Sequence, residues 1–288
     1  PRRIDVPLNL ATQSSCAGEL WQVDGPVECD QRDGVVACLA AQVAMFHACV
    51  AEGDLRIALE SAVADVYGRV LEALRRTGFG YPLRVWNYLS AINDGVGDAE
   101  RYRRFCVGRY RALPVIAGIE RLLPAATAIG GPPDSGLTLY VLAARKPGLQ
   151  IENPRQLSAY RYPRDYGQRS PSFSRATAAS WRDGDSLFVS GTASILGHRT
   201  VHAGDVRAQL RQAFANIYAV RVQAARQTRR GPLPLRRCTV YVRHAEEVAL
   251  LLDLLRDYLG MVQPRILIGD VCRRDLSVEV EAVCDSLG

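Results

Sequence analysis

Glu279 and Glu281 fall on one side of the segment LSVEVEAV, residues 276–283, together with Ser277; Leu276, Val278, Val280 and Ala282 fall on the other. That separation follows from the two-residue period of a strand. A carboxyl on such a face has two fates. Turned to solvent it is an ordinary exposed acid, the commonest origin of this alternation. Turned into a cleft it loses hydration, its neutral form is favoured, and it becomes an acid able to deliver a proton near pH 7. Arg265 lies fourteen residues before Glu279, at the start of RILIGDV. A buried arginine there suits a ligand carboxylate, because the guanidinium fork makes two parallel hydrogen bonds.

A second concentration of chemistry is NPRQLSAYRYPRDYGQRSPSFSRA, residues 153–176, with five arginines, three tyrosines, one phenylalanine and a single acid, Asp165. Pro163, Gly167 and Pro171 prevent a continuous helix or a central strand. Arginine interleaved with aromatic rings fits either a single-stranded nucleic acid or a pocket wall for a small anion. No RNP-type strand or helix-turn-helix signature accompanies it, and the basic residues sit in short separate segments, which favours the pocket. RYRRFCVGR, residues 101–109, reads as a helix with mostly solvated arginines. Gly108 within it costs about 1 kcal/mol relative to alanine, so a close neighbour is expected there.

Other chemistries lack support. His47, His198, His202 and His244 form no H-E-x-x-H, no Cys-His spacing fits zinc, and G-x-G-x-x-G, Walker A and G-x-S-x-G are absent. No metal and no nucleotide cofactor is expected.

These residues need elements to hold them, and an internal repeat supplies the plan. GDLRIALESAVADVY (53–67) aligns without gaps on GDVRAQLRQAFANIY (204–218), with Gly, Asp, Arg, Leu, two Ala and Tyr identical at matched places. Each copy reads as a helix N-capped by Asp54 or Asp205. After the first come a strand at 83–92, a helix near 98–112 and a strand at 137–145. After the second come a strand at 238–245, a helix ending at Gly260, and strands in RILIGDV and 276–283; residues 186–197 precede it as a strand. The chain therefore reads as two β-α-β-α-β halves, 1–150 and 151–288, of the α+β class, with helices on one sheet face. The first 50 residues carry the weakest pattern.

The totals agree with this reading. The chain has 288 residues, 48% apolar and 23% charged, enough for one large domain or two. Its net charge of +6 is almost wholly arginine, Lys146 being the only lysine, a bias that a GC-rich genome also produces. No apolar run of membrane-spanning length and no signal-peptide core is visible. Eight cysteines without a C-x-x-C pair predict reduced, mostly buried thiols and a cytoplasmic address.

Residues 153–176, then FVSGTASILGH (188–198) and GDVCRRDLSVEVEA (269–282), resemble the chorismatase family, and RYRRFCVGR looks like a further block of it. The likeness covers roughly residues 80–288. The last block also resembles the broader RidA/YjgF superfamily, in which an arginine precedes a V-E-I-E-A strand by a similar interval. The resemblance implies a duplicated RidA/YjgF-like (chorismate mutase-like) fold and chorismate as substrate, with neither metal nor cofactor. It implies release of pyruvate and formation of 3-hydroxybenzoate, with 4-hydroxybenzoate in some members, or else hydrolysis to a dihydroxycyclohexadiene carboxylate. An imine-hydrolysing or small-acid-binding RidA-like protein is the reading that uses the Arg265–Glu279 spacing alone. By the match, Glu279 is the acid, Arg109, Arg161 and Arg265 bind carboxylates, and Tyr162 and Tyr166 orient the substrate. Ala193 and Cys272 line the ring pocket; a cysteine seven residues before the acid looks like the hydroxybenzoate-forming branch, although a small buried hydrophobe explains Cys272 equally well. RidA-like proteins imply a homotrimer, or a duplicated chain that mimics part of that contact alone. No nucleic-acid or membrane partner is expected.

Overall fold

The computed structural model describes residues 3–14, 18–113 and 122–286. The chain runs β1 (Asn9–Leu10), β2 (Glu28–Arg32), β3 (Val35–Leu39), β4 (Val43–Val50), α1 (Glu52–Thr77), β5 (Tyr81–Ser90), α2 (Arg101–Ala112), β6 (Ala125–Gly131) and β7 (Leu137–Ala144). It continues with β8 (Leu149–Ile151), β9 (Ala176–Trp181), β10 (Gly184–Ala193), the small hairpin β11 (Ile195–Leu196) and β12 (Arg199–Thr200), and α3 (Val206–Thr228). Last come β13 (Leu235–Val242), α4 (Leu252–Leu259), β14 (Arg265–Ile268), β15 (Asp270–Val271) and β16 (Val278–Asp285).

Two seven-stranded sheets result, ordered β2-β3-β4-β7-β5-β6-β15 and β8-β9-β10-β16-β13-β14-β1. The orders match strand for strand, with β5–β6 and β13–β14 as the corresponding parallel pairs. The duplication read from the two helices thus extends to whole sheets, in the α+β class expected. The outermost positions are exchanged: β1, from the first half, pairs with β14, while β15, from the second, pairs with β6.

Each sheet carries its helices on one face. Leu55, Leu59, Val63, Val66 and Val70 of α1 pack on the first sheet, and Leu210, Ala213, Ile217 and Val220 of α3 on the second, the spacing of an amphipathic helix. The opposite faces meet in a third core of Leu83, Trp86, Tyr88, Ile129, Tyr140, Phe188, Tyr241 and Val283. The architecture is four layers, helix–sheet–sheet–helix. The Glu279/Glu281 face of β16 therefore points into the seam between sheets, not to solvent.

Local chemistry explains most boundaries. Asp205 caps α3, its carboxylate accepting from the Ala208 amide at 2.9 Å. Asp54 does not cap its helix, which starts two residues earlier at Glu52 behind Ala51 and kinks at Ala58. Gly108 touches α1 as its cost implied: a Cβ there would stand 2.5 Å from the Glu60 carbonyl and 2.8 Å from Val63. The expected helix before Gly260 is a 3-10 turn (Ala245–Leu251) followed by α4.

Among the described residues of the first 50 there are four strands. Cys29 and Cys38, opposite each other in β2 and β3, form a disulfide, which corrects the expectation of reduced thiols throughout. Cross-strand register, invisible without the pairing, brings them together. Cys49, Cys106, Cys238, Cys272 and Cys284 are free, and Cys16 lies outside the described residues. Among the described residues no helix is long and apolar enough to cross a membrane.

Candidate active site

A cavity of about 330 Å³ opens at one end of the seam, where the second sheet meets α2 and β6 of the first half. That is the lower end of the roughly 300–1,000 Å³ range of small-molecule sites. Six segments build it, among them β6 with Ala126, Thr127 and Ala128. From α2 come Tyr102, Phe105, Cys106 and Arg109, spaced to share one helix face. The irregular segment before β9 contributes Tyr162, Tyr166, Phe173 and Arg175; β10 contributes Gly191 and Ala193; the loop after β15 contributes Cys272 and Arg273; β16 contributes Glu279.

Glu279 is buried, and no ion pair to it occurs among the described residues. Loss of hydration, reinforced by the nearby Glu281 carboxylate, pushes its carboxyl up to about 8 against the opposing pull of Arg84 and Arg175. At neutral pH it is predominantly protonated. Glu281 instead accepts from Arg84 at 2.5 Å, the Trp86 indole at 3.1 Å and Thr127 at 2.7 Å. The carboxyl of Glu279 rests on the backbone of Gly191, where any Cβ would overlap it.

Three arginines of the cavity each retain a buried N–H without a protein acceptor: Nε of Arg109, Nε of Arg175 and one terminal nitrogen of Arg273. Such donors are costly to bury unless something accepts from them. Arg109 lies with its guanidinium 5.2 Å above the Tyr67 ring. Arg175 donates to the Leu157 carbonyl at 2.7 Å and to the Tyr162 hydroxyl at 2.8 Å. Arg273 donates to the His198 carbonyl at 2.9 Å and stacks 4.1 Å from the Tyr166 ring. The Tyr166 hydroxyl in turn lies 3.2 Å from Nδ1 of His198. The loop holding Cys272 and Arg273 is clamped by Arg243, which donates to the carbonyls of Val271, Arg273 and Leu276 at 3.0, 2.8 and 2.9 Å. Burial pushes the Cys106 and Cys272 thiols up to about 12, so both are apolar wall at neutral pH.

Of the residues singled out in the sequence, Glu279, Arg109, Tyr162, Tyr166, Ala193 and Cys272 converge on this cavity. Arg161 does not. It ends a 3-10 turn, Ala159–Arg161, that turns Tyr162 inward and leaves the arginine exposed over the Tyr160 ring at 5.8 Å. Arg265 does not either: β13 separates β14 from β16, and its guanidinium binds Glu19 at 3.1 Å and Thr239 at 2.9 Å. The arginine of residues 153–176 that reaches the cavity is Arg175. Arg164 pairs with Asp98 and Arg169 covers the Tyr110 ring. Arg175 and Arg273 were not singled out from the sequence, although each lies within a segment that was.

A carboxyl raised by burial and three arginines with unpartnered buried N–H groups thus line one cavity. The family description "Chorismatase FkbO/Hyg5-like, N-terminal" fits residues 19–143. A chorismatase of Streptomyces rapamycinicus is 39% identical over 279 residues, covering 92% of this chain and 81% of the relative. A 3-hydroxybenzoate synthase of Streptomyces hygroscopicus is 36% identical over 277 residues, covering 92% and 80%. A chorismatase crystal structure superposes with a TM-score of 0.80 at 35% identity, covering 90% of this chain and 80% of that one. The chain belongs to the chorismatase family and is an enzyme of that class.

Proposed function

We propose that this enzyme converts chorismate to 3-hydroxybenzoate and pyruvate, with Glu279 as the acid that starts the reaction. The observation carrying this reading is a buried carboxyl, neutral at pH 7, in a cavity whose arginines have N–H groups to spare. Chorismate has two carboxylates. Arg109, Arg175 and Arg273 are the candidates to hold them, since charge-assisted hydrogen bonds satisfy their orphaned donors. Tyr162, fixed by Arg175, and Tyr166, fixed by His198 and Arg273, orient the ring.

Glu279 protonates the terminal methylene of the enolpyruvyl group, leaving positive charge on the ether carbon. The bond from the ether oxygen to the ring breaks, its electrons complete the pyruvate carbonyl, and pyruvate departs. The neighbouring ring hydroxyl attacks the vacated carbon to form an epoxide, and its proton returns to the Glu279 carboxylate. Opening of the epoxide with loss of a ring proton gives 3-hydroxybenzoate. Atoms balance without water, so water must be kept from the charged intermediate; Phe105, Phe173, Ala126, Ala193 and the neutral thiols of Cys106 and Cys272 supply the apolar wall. The 3-hydroxybenzoate synthase among the relatives, and Cys272 in the cavity wall, support this branch over hydrolysis.

One incubation with chorismate tests it, pyruvate being followed by a coupled assay and products by chromatography. Pyruvate and 3-hydroxybenzoate in equal amounts are expected, any 4-hydroxybenzoate appearing as a separate peak. A diene diol as main product replaces the intramolecular step by hydrolysis, and unconsumed chorismate overturns the proposal.

A further inference from the structure

The proton donor sits on a structural irregularity that the reaction itself does not explain. Between β10 and β16, Val189 pairs with Ala282 but Thr192 pairs with Val280. Three steps along one strand match two along the other, so β10 bulges at Ser190 and Gly191. The bulge brings the Gly191 backbone against the Glu279 carboxyl, with no room for a side chain. Its shape therefore sets where the acidic proton lies.

Both bulge residues are tied across the seam to the first half. Ser190 donates to the Ser174 carbonyl at 2.6 Å and accepts from the Ala126 amide at 2.8 Å, and its own amide donates to the Arg175 carbonyl at 3.0 Å. The Gly191 amide donates to the Thr127 hydroxyl at 3.0 Å. That hydroxyl also accepts from Arg84 and donates to Glu281 at 2.7 Å. A hydroxyl has one proton and two acceptor positions, and all three are engaged. Thr127 is 2% exposed and lies in the cavity wall.

We infer that Thr127 is a positioning residue for the acid: its hydroxyl locks the Gly191 bulge to the Arg84–Glu281 ion pair and thereby fixes the Glu279 carboxyl relative to the bound substrate. The inference rests on the reading of Glu279 as proton donor. Thr127 lines the cavity, but its hydroxyl is fully engaged by Gly191, Arg84 and Glu281, so its loss displaces the donor without removing a free donor or acceptor. Displacing a reacting group by about 1 Å costs on the order of 10²-fold in rate.

The test compares Thr127→Val, which keeps the shape and removes the hydroxyl, with Thr127→Ser, which keeps the hydroxyl. For T127V, kcat with chorismate is expected to fall by about 10- to 100-fold while KM stays within about threefold. T127S is expected to restore kcat to within about threefold of the parent enzyme, at whatever melting temperature it has. Thr127→Ala, with space for a water, supplies the same comparison should T127V not fold. Wild-type kcat in T127V, a loss confined to KM, or a T127S as impaired as T127V each overturns the inference. Full activity of a Glu279→Gln enzyme would instead overturn the role of the acid itself, so the two failures are distinguishable.

Discussion

Glu279 and Glu281 project from the same face of β16 and are almost equally buried, 4% and 5% exposed, yet their surroundings differ completely. Glu281 is wrapped by three donors, one of them the buried cation Arg84. Glu279 has a backbone glycine at its back and a cavity in front. A satisfied buried carboxylate holds two sheets together; an unsatisfied one stays protonated and available. The arginines divide in the same way. Arg265 is matched by Glu19 inside the seam, whereas Arg109 lines the cavity with no carboxylate partner among the described residues. Pairing with an opposite charge separates structure from chemistry here better than burial does.

Substitutions at the two acids should break this contrast most sharply. Glu279→Gln is expected to lower kcat by about 10²–10⁴-fold, the worth of a general acid, while chorismate still binds in a titration; undiminished turnover would return Glu279 to the structural class. The same variant has a pH signature. In the native enzyme the carboxyl keeps its proton up to about 8, whereas the unfolded chain releases it near 4.5. The folded state then binds more protons between those values, and stability falls as pH rises through that window. The melting temperature of E279Q minus that of the parent should therefore grow from pH 5 to pH 8, and a constant difference would contradict the neutral carboxyl. Turnover itself should decline as pH climbs through about 8.

Arg84→Met addresses the paired acid and strands Glu281 without a cation. A loss of about 3–5 kcal/mol is expected, read from urea midpoints, with much of it regained in an Arg84→Met/Glu281→Leu double variant. Should the single variant lose nothing, the pair is not what joins the sheets. Arg109→Lys replaces a fork by a point charge, and KM should rise by about 10- to 100-fold with a smaller effect on kcat; an unchanged KM would leave Arg109 outside the substrate site. Cys272→Ala sharpens the contrast least. Total turnover should stay within a few-fold while the ratio of 3-hydroxybenzoate to other products changes, and an unaltered ratio makes Cys272 mere packing.

Regular elements explain what could be read from the sequence. The helix repeat, α2 and the alternation in β16 all carry a period, and Arg109 and Glu279 sit on them. β6 (AATAIGG) and β9 (ATAASW) escaped notice because they are built from small residues with little strand preference. Backbone without a period gives no face, so nothing in residues 153–176 distinguished Arg175 from Arg161. Spacing alone misled at Arg265, because fourteen residues of chain say nothing about which strand intervenes. Gly191 and Thr127 matter only through a bulge and a partner in another sheet, neither of which a single strand displays.

The exchange of β1 and β15 between the sheets has a consequence for how this enzyme comes into being. Asn9 meets Ile268, so this ladder joins the extremes of the chain, and sequence-distant pairings of this kind slow folding. The β15 crossing also carries Cys272 and Arg273 to the first half. A lone half, produced without its sibling, would be left with a raw sheet edge and a cavity missing a wall. The two halves are thus interlocked through their exchanged edge strands.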